Sequence, residues 1–177
     1  MSDFGFKRIW SIEDENELQK GFFLWILHAD KVPPHVGCSI DGNYYSLKVS
    51  GKDEGVNVAK VQTVIEKKGI LTIAVSVNTT IDQLLVQKVF RKFDAAKSDM
   101  TTCLSPLIEV FGLEKQGIEK LSLLLKYLES KHSMGKVFGL NLTEGYIGIP
   151  EYDLEDIHNR LRKLENVQVK ASARPVR

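Results

Sequence analysis

The sequence predicts an α+β fold in which an antiparallel sheet packs against amphipathic helices, and three observations predict it. The most apolar run, Gly21 to Ala29, is too short to span a bilayer and reads as a buried strand. Two strand-like runs, His35 to Ile40 and Asn43 to Val49, flank Asp41-Gly42. Asp-Gly between such runs signals a two-residue hairpin, because both turn positions need positive φ. Helical stripes then alternate irregularly with further strand-like segments, which favours α+β over a regular βαβ array. At 177 residues, 43% hydrophobic and 27% charged, the chain suits one domain over 1–177 with a sizeable core.

Each element follows in order. Ser11 to Leu18 begins with a capping residue and carries acids in its first turn, which favours a short helix. Phe22 to His28 is a strand. Pro33 and Pro34 lie in a connection, since prolines cannot join a central ladder. Ser50 to Gly55 is a polar loop. Val58, Val61 and Ile65 recur at helical spacing up to Gly69, and Ile70 to Val77 is the next strand. Ile81, Leu84, Leu85, Val89 and Phe93 mark a helix face, with Thr79 or Thr80 as cap. Leu104, Leu107, Ile108 and Phe111 mark another after a loop at Asp94 to Met100. Residues 114–169 add a helix striped by Leu121, Leu124, Leu125 and Leu128, a second hairpin (Lys136 to Leu142, Tyr146 to Ile149) and a helix striped by Leu154, Ile157, Leu161 and Leu164. The basic tail 170–177 is expected to fray.

Composition narrows the function classes. A formal net charge of +1 gives no reason to expect nucleic acid or an anionic membrane surface. The first residues lack the pattern of a signal peptide, so a cytoplasmic location is expected, with Cys38 and Cys103 as free thiols. No CxxC or Cys/His cluster is present, and neither a metal nor a cofactor is expected. Gly51-Lys52-Asp53-Glu54-Gly55 lacks P-loop spacing. Asp153, Glu155, Asp156 and His158 favour a helix start rather than a metal site. The aromatic cluster Trp10, Phe22, Phe23 and Trp25 reads as core, and Lys88, Arg91 and Lys92 as the polar side of a helix that needs no partner.

The candidates for chemistry are His35 and Cys103. A two-residue turn at Asp41-Gly42 sets Ile40 opposite Asn43, Cys38 opposite Tyr45 and Val36 opposite Leu47, all on one mainly apolar face. The other face carries Ser39 opposite Tyr44, Gly37 opposite Ser46 and His35 opposite Lys48, with Ser46 diagonal to His35. Gly37 is expected to leave open space beside the imidazole. Cys38 lies on the face away from His35, so Cys103 is the thiol left to pair with it. Cys103 either begins a helix capped by Thr102 or lies just before one started by Ser105-Pro106. Either way the helix terminus is expected to lower its pKa. The competing reading makes His35 a strand-entrance histidine and Cys103 a small buried hydrophobe.

Pro34-His35-Val36-Gly37-Cys38-Ser39-Ile40, then Asp41 to Leu47, then Thr101-Thr102-Cys103-Leu104-Ser105-Pro106 follow in an order and spacing that resembles the circularly permuted papain-like hydrolases. That group includes relatives of the NlpC/P60 peptidases and of lecithin–retinol acyltransferase. The resemblance covers about residues 20–113, the candidate catalytic core. It implies Cys103 as nucleophile, His35 as base and acid, and Ser46 at the position that orients the imidazole. A hydroxyl orients more weakly than a carboxylate, amide or second imidazole, and Tyr44 and Asp53 are alternatives. The function expected is a thiol hydrolase or acyltransferase acting on a peptide amide, isopeptide or acyl ester. The alternative is a non-catalytic module that binds a protein partner on the same scaffold.

Overall fold

The computed structural model of the protein describes residues 2–173. Its strands are β1 (Ser2–Phe4), β2 (Trp10–Ser11), β3 (Phe22–Leu27), β4 (His35–Ile40), β5 (Asn43–Lys48), β6 (Gly51–Asn57), β7 (Thr72–Val77), β8 (Met134–Leu140) and β9 (Ile149–Pro150). Its helices are α1 (Val58–Lys68), α2 (Gln83–Phe90), α3 (Ser105–Val110), α4 (Leu121–Ser130) and α5 (Leu154–Ser172). A seven-stranded sheet runs in the order β2-β8-β7-β3-β4-β5-β6, antiparallel at every step except β2–β8. The fold is therefore α+β with a mostly antiparallel sheet. No described helix is long and apolar enough to cross a membrane.

β3 lies at the centre of the sheet and is buried on both faces, which explains its unbroken apolar run. Leu24 and Ile26 face the larger core, shared with residues of α2, α3, α4 and α5. Phe23 and Trp25 face a smaller core under α1. Trp25 is fully buried and donates its Nε1–H to Ser39 Oγ at 2.8 Å, which satisfies both polar groups. Cys38 projects into the larger core with Val36 and Ile40, and burial pushes its thiol up. Cys38→Ala should therefore cost about 1–2 kcal/mol through the cavity it leaves. A urea-denaturation midpoint measures this, and alkylation of the native protein should spare Cys38.

Several elements depart from expectation for identifiable reasons. Ser11 to Leu18 is no helix. Asp14 and Glu17 side chains take the N–H groups of Asn16 and Glu13, an alternative to helical hydrogen bonds, and no apolar stripe opposes it. Ser50 to Gly55 is not a loop: the chain turns at 49–50 and returns as the edge strand β6, with a bulge between Tyr44 and Tyr45 at Gly55, whose φ is +69°. Charged residues suit an edge, which is why β6 lacks a strand's apolar signature.

The expected second hairpin does not form either. β8 pairs with β7 and β2, whereas Ile149 and Pro150 pair with β1. Asp82, not a threonine, caps α2 by accepting the Leu85 N–H, and the buried side becomes Val86, Val89 and Phe90, leaving Leu84 exposed. Arg91 and Lys92 pair with Glu54 and Glu109 on the polar side of the helix. α5 continues through Ser172, so residues 170–172 are helical where fraying was expected; residues 174–177 lie outside the described residues.

Candidate active site

The hairpin register is as the Asp-Gly turn dictates at four positions: Ile40–Asn43, Ser39–Tyr44, Cys38–Tyr45 and Gly37–Ser46. Beyond Gly37 the two strands part. The expected Val36–Leu47 and His35–Lys48 pairs do not form, although β4 stays paired with β3 as far as His35–Leu27. The segment leading to α3 enters this opening. Ala96 N–H donates to the Lys48 carbonyl at 2.8 Å, in place of a ladder bond. The Val36 N–H meets the sulfur of Cys103. The nucleophile candidate thus abuts the peptide that joins His35 to Val36.

Cys103 lies just outside α3, which begins at Ser105 with Pro106 in its first turn. A local turn holds it there: Thr102 N–H donates to Ser105 Oγ at 2.9 Å, and Leu104 N–H to Thr102 Oγ1 at 3.2 Å. Burial of the sulfur pushes the thiol up, against the expected lowering. Three backbone N–H groups, of Val36, of Cys103 itself and of Leu104, oppose that shift without overcoming it.

His35 is only partly exposed, and its Nε2 is shielded with no hydrogen-bond partner. Desolvation lowers its pKa to about 4. Asp53 acts against this, while Lys48 and His28 add to it. At neutral pH the pair is therefore an uncharged thiol and an uncharged imidazole, the latter free to accept a proton. A buried, unpaired ring nitrogen costs about 1–3 kcal/mol, so it invites a functional explanation.

Ser46 is fully buried and donates to Asp53 Oδ2 at 2.8 Å; Lys48 Nζ meets Oδ1 of the same carboxylate at 2.8 Å. The Tyr44 hydroxyl lies over Gly37, so the space expected beside the imidazole is filled. Tyr44 also contacts Ser46 through its hydroxyl.

His35 and Cys103 line one cleft of about 1100 Å³. Its other walls are the β3–β4 connection at Lys31 to Pro34, the end of β5, and Ile157, Leu161 and Leu164 of α5. α5 is held over the cleft by Glu165, whose carboxylate takes both the N–H and the hydroxyl of Ser98 at 2.8 Å, and by His158, whose Nδ1 accepts the Asp99 N–H at 3.0 Å. The acids at the start of α5 form a capping box between Asp153 and Asp156. Among the described residues there is no group of three or more side chains that could hold a metal ion.

Sequence reasoning offered Asp53 only as an alternative to Ser46 and did not see that the two pair, and it missed α5 as a wall. Asp53 was legible in principle: a two-residue turn at Val49-Ser50 sets it opposite Ser46. The placement of α5 has no local signal. The structure brings His35, Ser46 and Asp53 to one end of the β4–β5 hairpin; Cys103 reaches that end from the side of the larger core, against which it packs with Cys38, and shares only the cleft with His35. Compared with known proteins, the chain matches no family model, no curated protein and no solved structure.

Proposed function

We propose that this protein is a thiol hydrolase or acyltransferase of permuted papain-like arrangement, with Cys103 as nucleophile and His35 as base and acid. One observation carries the reading. The Cys103 sulfur abuts the His35–Val36 peptide inside a cleft that His35 also lines, while Nε2 of His35 has no partner. Because both groups start neutral, His35 takes the thiol proton as the sulfur bonds to a carbonyl carbon. Backbone N–H groups around Cys103 stabilise the tetrahedral oxyanion. The imidazolium then returns the proton to the departing amine or alcohol. Water, or an acceptor nucleophile, releases the acyl group from sulfur. Amides, isopeptides and esters all suit this sequence of steps.

A second reading, a non-catalytic module that binds a protein partner, draws on the raised thiol and the weakly basic imidazole. Incubation with p-nitrophenyl acetate separates the two. A stoichiometric burst with acetyl on Cys103, absent in Cys103→Ala and slowed about 100-fold in His35→Ala, is the catalytic outcome. No adduct on Cys103, together with identical alkylation profiles in wild type and His35→Ala, leaves the binding module.

A further inference from the structure

We propose that the notch beside β2 is a binding site for a small phosphomonoester, held by Arg8 and Lys136 on the platform of Trp10. The site lies at the edge of the sheet opposite β6, away from the cleft of Cys103 and His35, and does not depend on their chemistry.

The sheet edge builds the notch. β2 pairs with β8 only at Trp10–Phe138 and Ser11–Gly139. No strand lies beside Met134, Gly135 and Lys136 on that side, and the chain from Phe4 to Arg8 walls a pocket of about 330 Å³ there. That volume sits at the lower end of small-molecule sites. Trp10 is half-buried against the smaller core, which fixes its ring. Arg8 stacks on this ring with Cζ 3.3 Å from the centroid, and Lys136 brings Nζ to 5.1 Å. Both distances allow cation–π attraction, which orients the two cations.

The charges of the pocket do not balance. Arg8 and Lys136 sit on one ring, closer together than the Debye length of about 10 Å at 0.1 M salt, so they repel. Among the described residues neither has a carboxylate partner. The ion pair at this pocket joins Lys7 to Glu129 at 3.1 Å and cancels within itself. Two long side chains that met only solvent would gain rotamer freedom by separating. A phosphomonoester matches the surplus, since it carries about −1.5 to −2 charge at pH 7 and three acceptor oxygens. The guanidinium fork and the ammonium supply the donors. A carboxylate would leave one cation unopposed. Phe4, Phe6, Met134 and Val137 give the organic body of an ester an apolar wall, for which a free phosphate ion has no use.

The test titrates the full ¹⁵N-labelled chain with phenyl phosphate and follows it by NMR. The Trp10 indole N–H and the Gly135 and Lys136 amides should shift saturably, while the indole of the fully buried Trp25 stays in place. Arg8→Gln and Lys136→Gln should each weaken binding about tenfold, as loss of a hydrogen bond between charged groups does, and the double variant should abolish it. Glu129→Gln should tighten binding, because it removes the carboxylate that lines the pocket. All three side chains are exposed, and thermal midpoints equal to that of wild type confirm that the variants keep the fold. Benzoate, a monoanion with a similar body, should bind about tenfold more weakly than phenyl phosphate. Benzoate binding as tightly would overturn the choice of a dianion. Equal affinity for inorganic phosphate would assign the pocket to the free ion and overturn the ester. Shifts that do not saturate by about 10 mM, or that survive the double substitution, would overturn the site itself.

Discussion

Gly37→Ala should destabilise the protein by about 3 kcal/mol and derange the candidate site, the largest effect expected of any one-methyl change in the hairpin. A Cβ at this position would lie 2.6 Å from the Tyr45 carbonyl oxygen, 2.7 Å from the Tyr44 hydroxyl and 2.9 Å from the Ser46 Cβ. Two of these three are fixed by the pairing of Gly37 with Ser46, so a flexible side chain cannot simply swing aside. Relief requires either parting β4 from β5 at their last shared pair or expelling the Tyr44 hydroxyl. Tyr44 is buried against Trp25, with ring centroids 5.9 Å apart, so its expulsion disturbs the smaller core. Denaturant midpoints of wild type and Gly37→Ala measure the cost. A variant as stable as wild type would mean that the hairpin end yields far more readily than its packing indicates.

The second large effect is a loss of stability between about pH 6.5 and pH 4. His35 has a folded pKa of about 4 against an ordinary value of 6.5. The neutral ring is what the fold accommodates, so the unfolded chain binds a proton that the folded chain refuses throughout that window. Stability is complete above about pH 6.5 and falls as pH drops towards 4. A shift of that size corresponds to about 3 kcal/mol, at roughly 1.4 kcal/mol per pH unit. His28, whose pKa is lowered chiefly by burial, adds loss of the same sign. Asp3 does not interfere in this range. Lys120 and Ser122 hold its carboxyl below the usual value in spite of desolvation, so its contribution is lost only at more acid pH. Unfolding free energies measured at pH 7 and pH 4.5 should differ far less in His35→Gln than in wild type. Equal slopes in the two proteins would contradict the burial that explains the depressed pKa.

Much of this molecule follows from local rules. The Asp41-Gly42 turn set the pairing of β4 with β5, because only a tight turn with both φ positive closes a hairpin over two residues, and both are positive here, at 45° and 79°. Strand alternation then separates Cys38 from His35 without the help of any tertiary contact. The apolar run at Phe22 required a doubly covered strand, and the leucine stripe at Leu121 required a helix with one buried side. These features are local because their signals, turn chemistry and periodicity, are properties of neighbours in the chain.

Other features were decided by contacts distant in sequence. β6 is a strand because β5 offers it a free edge, and its charged residues carry no periodic signal of their own. Ile149 and Pro150 form no hairpin with β8 because they pair with β1, while β2 occupies the edge of β8 away from β7. The parting of β4 from β5 at His35 depends on Ala96 and Cys103, some sixty residues further along, filling the gap with their own hydrogen-bonding groups. Desolvation acts on both the thiol and the imidazole at this end of the hairpin. Sequence could name the two residues, since a histidine at a strand entrance and a cysteine before a helix are local patterns. Their ionisation was settled by the tertiary structure, because desolvation depends on everything that surrounds a group, and here it outweighs the backbone dipoles aimed at the sulfur.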